Sequence, residues 1–171
     1  MMSGRFIWKI TFVGEPDTGK SSIVSRIVFD SEVGNFSGKG LLRKKVSFSS
    51  GNEKKQAEFI IQEVDGFPSD NKVLIGSAAI LIVVDVTKKF QPDKISRFIS
   101  GVDKKLEVCI VANKIDLKYE ALTWLEELEP FAKKNHVSLY MVSSRVSDSV
   151  NSMIQEVAQK LMVRVNGKQR S

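Results

Sequence analysis

GEPDTGKS, residues 14–21, links the run FIWKITFV at residues 6–13 to the run KSSIVSRIVF at residues 20–29. The first run is rich in aromatic and β-branched residues and reads as a strand. The second carries Ile23, Val24, Ile27 and Val28 at helical spacing. The octet matches G-x-x-x-x-G-K-[ST], in the strand-to-helix setting that this pattern demands. Gly14 and Gly19 allow the backbone to curl tightly. The amides of Asp17, Thr18, Gly19, Lys20, Ser21 and Ser22 then point inward and cradle phosphate oxygens. The helix N-terminus adds partial positive charge. Lys20 neutralises the terminal phosphates, and the Ser21 hydroxyl can ligate Mg²⁺. With glycine at ~7% of residues, such a match arises by chance in fewer than roughly one chain of this length in a hundred.

Working outward, a glycine- and serine-rich stretch, DSEVGNFSGKG, reads as a loop. LLRKKVSF, the turn SSGN and AEFIIQEV read as a hairpin. AAILIVVDV, EVCIVAN and LYMVSS read as further strands, the first two as continuous apolar runs buried on both faces. Helical stretches begin near Pro92, cover ALTWLEELEPFAKK with Pro130 kinking or restarting it, and end the chain with SDSVNSMIQEVAQKLMVRV. Ser147 or Asp148 can cap the last. Strands alternating with helices predict an α/β, three-layer fold with a mainly parallel sheet. Ligands of such sheets bind at the carboxyl ends of the strands, so every chemical motif should fall just after one.

The 171 residues suffice for one domain, read as 1–171 with residues 164–171 as a flexible basic tail. The single cysteine, Cys109, sits in an apolar run and fits a reducing compartment, so a cytoplasmic location is expected. The longest apolar run, Ala78 to Val84, is far short of a membrane span. No signal-peptide layout or lipidation motif is readable, so membrane contact is expected to be peripheral if it occurs. The net charge is +6, with clusters at Arg43, Lys44 and Lys45, at Lys54 and Lys55, and in the tail. No aromatic residues interleave with these clusters, so specific nucleic-acid binding is not expected. His136, Cys109, Trp8 and Trp124 read as structural. Glu126, Glu127 and Glu129 read as a solvated helix face.

The strand EVCIVA ends in NKID, residues 113–116. Asp116 can accept from both the ring N–H and the exocyclic amine of guanine. Adenine offers no such donor pair and leaves the carboxylate unpaired. The Lys114 stem can lie over the base, and Asn113 can tie neighbouring loops together. The next strand ends in Ser143, Ser144 and Arg145, where a backbone amide can meet the guanine carbonyl oxygen. All three motifs follow strands.

With these motifs in this order, the chain resembles the small GTPases of the Ras superfamily. The strand ending in DVT looks most like the Rab and Ras-like branches. The resemblance implies a P-loop NTPase fold with six strands and about five helices. It also implies GTP and GDP as ligands, Mg²⁺ as cofactor, and two switch loops that sense the terminal phosphate. Protein effectors or regulators would then meet residues 30–46 and 66–77.

The sequence departs from this family at the switches. Aligning the family's D-x-x-G on Gly66 puts Glu63 at the aspartate position, where it can reach the metal through water. Asp65 is the alternative acid. Phe67 replaces the glutamine that orients the attacking water, which predicts poor hydrolysis. Residues 30–46 hold no threonine, and Ser37 is the hydroxyl nearest its expected place. Pro16 stands where most relatives carry glycine and crowds the terminal-phosphate space. Phe29 or Phe36 can lean on the guanine edge. Two readings stay open: a slow GTP-hydrolysing switch acting through Lys20 and Ser21, and a hydrolysis-deficient GTP-bound interaction module. An ATP-using enzyme is disfavoured by NKID.

Overall fold

The computed structural model describes residues 5–30, 40–114, 116–117, 121–123 and 125–170. Ser37, Phe36 and Trp124 lie outside them.

Six strands form one sheet: β1 (Phe6–Gly14), β2 (Leu42–Ser50), β3 (Glu53–Asp65), β4 (Ser77–Asp85), β5 (Glu107–Asn113) and β6 (Ser138–Met141). Their order is β2-β3-β1-β4-β5-β6. The β2–β3 hairpin is antiparallel, turning at Gly51 with φ 62°, and every other pairing is parallel. Four α-helices accompany it: α1 (Lys20–Phe29), α2 (Pro92–Gly101), α3 (Leu125–Lys134) and α4 (Ser147–Arg170).

Side-chain alternation explains the layers. On β1, Trp8, Ile10 and Phe12 face one way, onto Ile23 and Val24 of α1 and Val157 and Leu161 of α4. Val13 faces the other way, into a second core with Ile95 and Phe98 of α2 and Ala132 of α3. β4 serves both cores: Ala79, Leu81 and Val83 belong to the first, Ile80, Ile82 and Val84 to the second. That is why its sequence is continuously apolar. Phe12 and Phe59 are fully buried, and each contributes about 1.5–3 kcal/mol by leaving water.

Three features differ from the sequence reading. About five helices were expected, and the described residues hold four. Between Gly66 and Ser77 there is only a 3₁₀ turn, Asn71–Leu74, capped by Asp70 Oδ1 accepting from the Lys72 amide at 2.9 Å. The segment is too short for a packed helix. Pro130, expected to kink or restart the helix, does not restart it: α3 runs through it. Finally, α4 carries its helical backbone on to Arg170, through the stretch read as a flexible tail from residue 164. Buried residues Val150, Met153, Ile154, Val157, Ala158, Leu161 and Met162 lay one face of it on the sheet. Arg164 then anchors it, donating Nε to Glu107 Oε2 at 2.7 Å.

Candidate functional site

The carboxyl ends of β1, β3, β4, β5 and β6 converge on one edge of the sheet, and all three motifs lie there. Gly14 ends β1 with φ 147°, and a Cβ on it would come within 2.6 Å of the Val83 carbonyl oxygen. Gly19 has φ 97°, and a Cβ there would meet Asn113 Nδ2 at 2.2 Å. Both positions therefore require glycine. Asp17 also takes a left-handed conformation, φ 65°. The loop is braced from within by Thr18 Oγ1 donating to the Glu15 carbonyl at 3.0 Å. It delivers the chain to α1, whose start has no side-chain cap and no acidic residue in its first turn. By contrast, α2, α3 and α4 carry Asp93, Glu126 with Glu127, and Asp148 there. The positive end of α1 thus meets no acid of its own first turn, and the carboxylates that reach it, Glu63 and Asp65, come from the end of β3.

Lys20 is 4% exposed. Its ammonium donates to the carbonyls of Gly14 at 2.9 Å and Glu15 at 2.8 Å and pairs with Asp65 Oδ1 at 2.9 Å. Ser21 Oγ donates to Glu63 Oε1 at 2.8 Å. So the two acids after β3 divide: Glu63 touches the hydroxyl and Asp65 touches the lysine. Burial raises the Glu63 carboxyl above its usual range. The Ser21 hydrogen bond and the Lys20 charge offset this in part, and Asp65 adds to it. Gly66 is fastened to the phosphate loop by a two-way backbone bridge with Gly14, N–O 2.6 and 3.2 Å.

Mg²⁺ binds phosphate oxygens, waters and one or two protein oxygens. Ser21 Oγ and Glu63 Oε1 are such a pair. Among the described residues no group of three or more His, Cys, Asp or Glu could hold a metal. The donor set fits an ion that arrives with phosphate, not one caged by protein.

Phe67 lies against α2 and lines a cavity with Glu15 and Thr18 of the loop. Its ring packs against Phe98 of α2, centroids 5.4 Å apart, and Lys94 lies over it at 5.7 Å. Lys94 also pairs with Glu15 of the phosphate loop. Pro16 is exposed at the loop's crest.

At the other end, Asn113 is 1% exposed and Nδ2 donates to the Thr18 carbonyl at 2.9 Å. This bond joins the NKID strand end to the phosphate loop. Among the described residues, Asn113 Oδ1 is buried without a hydrogen-bond partner. Asp116 Oδ1 accepts from Ser143 Oγ at 2.8 Å, and Ser143 Oγ in turn accepts from the Arg145 amide at 3.2 Å. The Arg145 guanidinium stands 3.7 Å from Asp116 Oδ2. Arg26 of α1 donates to the Ser144 carbonyl at 2.7 Å and fixes that loop. Lys114 takes a left-handed backbone, φ 69°, and its ammonium reaches the Asp17 carbonyl at 3.4 Å and Asp85 Oδ2 at 2.7 Å. Burial works to raise the Asp85 carboxyl, but the Lys114 and Thr87 hydrogen bonds outweigh it and hold it below its usual range.

Sequence reasoning did not assign Asp85, the Glu15–Lys94 pair or the Lys20–Asp65 contact. A signal existed for Asp85: a charged residue closing a fully apolar strand must find a partner. Of the remaining candidates, Phe29 is exposed at the end of α1. Burial pushes the Cys109 thiol up to about 12, so it is inert. His136, φ 57°, closes α3 with its amide donating to the Lys133 carbonyl.

The sequence model of the Ras family matches residues 9–163. A protein of Acanthamoeba polyphaga mimivirus described as a "Probable Rab-related GTPase" is 28% identical over 163 residues, covering 90% of this chain and 76% of its own. The GTP-binding protein ypt3 of Schizosaccharomyces pombe is 24% identical over 163 residues, covering 89% and 74%. Phosphate loop, NKID strand end and sheet order agree with that match, and the chain belongs to the Ras family.

Proposed function

We propose that the chain binds GTP and GDP with Mg²⁺ and acts as a slow molecular switch. The observation that carries this reading is the Asn113–Thr18 hydrogen bond, which sets a guanine-type strand end against a phosphate loop at one edge of the sheet. In this reading Asp116 accepts from the base, with Ser143 and Arg145 fixing its orientation, and Ser144 belongs to the loop whose amide meets the guanine oxygen. The amides from Asp17 to Ser22, with Gly14 and Gly19 shaping the loop, hold the phosphates. Lys20 neutralises charge on the transferring phosphoryl group, and Gly66 senses the terminal phosphate. Ser21 and Glu63 would hold Mg²⁺, with Ser37 as a further ligand. The ion would supply neutralisation of the phosphate charge. Catalysis is then positioning plus electrostatics.

A second reading is a hydrolysis-deficient, GTP-held interaction module. It is favoured by Phe67, which packs on Phe98 and has no group to orient water. In both readings effectors or regulators approach residues 30–46 and 66–77, in the cytoplasm. Single-turnover hydrolysis of labelled GTP at millimolar Mg²⁺ separates the two. Turnover near the ~10⁻⁴ s⁻¹ of unassisted relatives supports the switch. Tight binding without turnover supports the module, and binding of neither nucleotide overturns both.

A further inference from the structure

We propose that Asp65 is a built-in occupant of the terminal-phosphate position and sets a preference for GDP over GTP. The proposal rests on the guanine-nucleotide reading above. An ammonium has three N–H donors. Those of Lys20 have three acceptors within the protein: the Gly14 carbonyl, the Glu15 carbonyl and Asp65 Oδ1. Only the last carries charge, and a carboxylate is the same class of partner for an ammonium as a phosphate oxygen.

The two partners differ in freedom. The Lys20 side chain is 4% exposed and that of Asp65 is 72% exposed, so the lysine is fixed and the aspartate is the group that can leave. The backbone places it. The Gly14–Gly66 bridge pins the residue after Asp65 to the end of β1 and roots the carboxylate at the mouth of the phosphate loop. The Gly66 amide, the donor that a terminal phosphate would claim, is already given to the Gly14 carbonyl at 2.6 Å.

A nucleotide ending at its second phosphate needs one donor from Lys20 and can take it from the neutral Glu15 carbonyl, leaving the Asp65 pair in place. A third phosphate claims the position held by Asp65 and sets its own charge beside the carboxylate. GTP must therefore expel Asp65 and break the Gly14–Gly66 bridge, whereas GDP need do neither. Binding of the third phosphate and release of residues 65–66 become a single event.

The test is the dissociation constant of the full chain for fluorescent GDP and for a fluorescent non-hydrolysable GTP analogue, both with Mg²⁺. The native protein is expected to favour GDP. In Asp65→Asn and Asp65→Ala the preference should shrink by about tenfold, mainly because the analogue binds more tightly. Asp65→Glu, which keeps the charge, should keep the preference. Thermal melting of each variant reports that it is folded. An unchanged ratio in both neutral variants overturns the proposal while leaving the nucleotide reading intact. A ratio that moves only through weaker GDP binding overturns it too. Failure of the native protein to bind either nucleotide overturns the nucleotide reading itself.

Discussion

Two carboxylates at opposite ends of the cleft are displaced in opposite directions. Asp85 lies below its usual range because Lys114 and Thr87 bond to its ionised form. Glu63 lies above its usual range because burial outweighs what Ser21 and Lys20 return. At the NKID end, which the proposed function assigns to the base, Asp116, Lys114 and Asn113 each have a protein partner that holds the side chain in place. At the phosphate end, Lys20, Ser21, Glu63, Asp65 and Gly66 satisfy one another and must be separated before a ligand can use them. One end is preorganised and the other is self-satisfied. In the proposed reading, binding energy gained on the base would be available to open the phosphate end.

The largest effect should come from Lys20→Ala. Removing the buried ammonium is expected to cost about 2–5 kcal/mol of nucleotide affinity, measured by fluorescence titration. A smaller loss would show that the self-satisfied end contributes little. Asp116→Asn should cost about 2–3 kcal/mol against guanine and turn the preference towards xanthine, because an acceptor becomes a donor. Unchanged GTP affinity in competition titrations would remove Asp116 from the base end.

Melting curves from about pH 7 down to about pH 2, which span the ordinary carboxylate range and the values below it, sharpen the contrast between the two acids. Asp85 has a lowered pKa, so its stabilising contribution is complete above the ordinary aspartate range and fades as pH falls through the lowered value. Asp85→Asn should therefore cost about 1.5 kcal/mol at neutral pH and progressively less in acid. Glu63 has a raised pKa, so the sign reverses. Its contribution is present below the ordinary glutamate range and is lost as pH rises through the raised value. Glu63→Gln should be neutral in acid and stabilising at neutral pH. Parallel pH profiles for the two variants would erase the distinction between the ends. The smallest effect belongs to Glu15→Gln, which breaks an exposed ion pair with Lys94 and should change stability by no more than about 0.5 kcal/mol.

The placement of GEPDTGKS and NKID at strand ends was legible in the sequence because each is a local motif. GEPDTGKS and NKID are short, and the strands preceding them are apolar enough to be placed. The β2–β3 hairpin was legible for the same reason. What escaped was pairing between distant segments. Asp85 ends β4 and Lys114 directly follows β5, and only the β4–β5 register, Asp85 opposite Asn113, brings them together. Asp65 meets Lys20 because β3 lies beside β1 with Asp65 opposite Gly14. No window along the chain contains either fact. The extent of α4 to Arg170 was not legible because composition past Val163 is polar and basic, and the Arg164–Glu107 pair joins residues distant in sequence.

The hairpin has one more consequence. Among the described residues β2 is the outermost strand and pairs with β3 on one side only, while Gln155 of α4 donates to its Ser47 carbonyl. A free strand edge invites a second molecule to add its own strand and seed aggregation. Here that strand carries Lys44 and Lys45, beside an Arg43 already paired with Glu58. Two copies meeting edge to edge would oppose like charges, so colloidal stability should be greatest in dilute salt and decline as ions screen the repulsion.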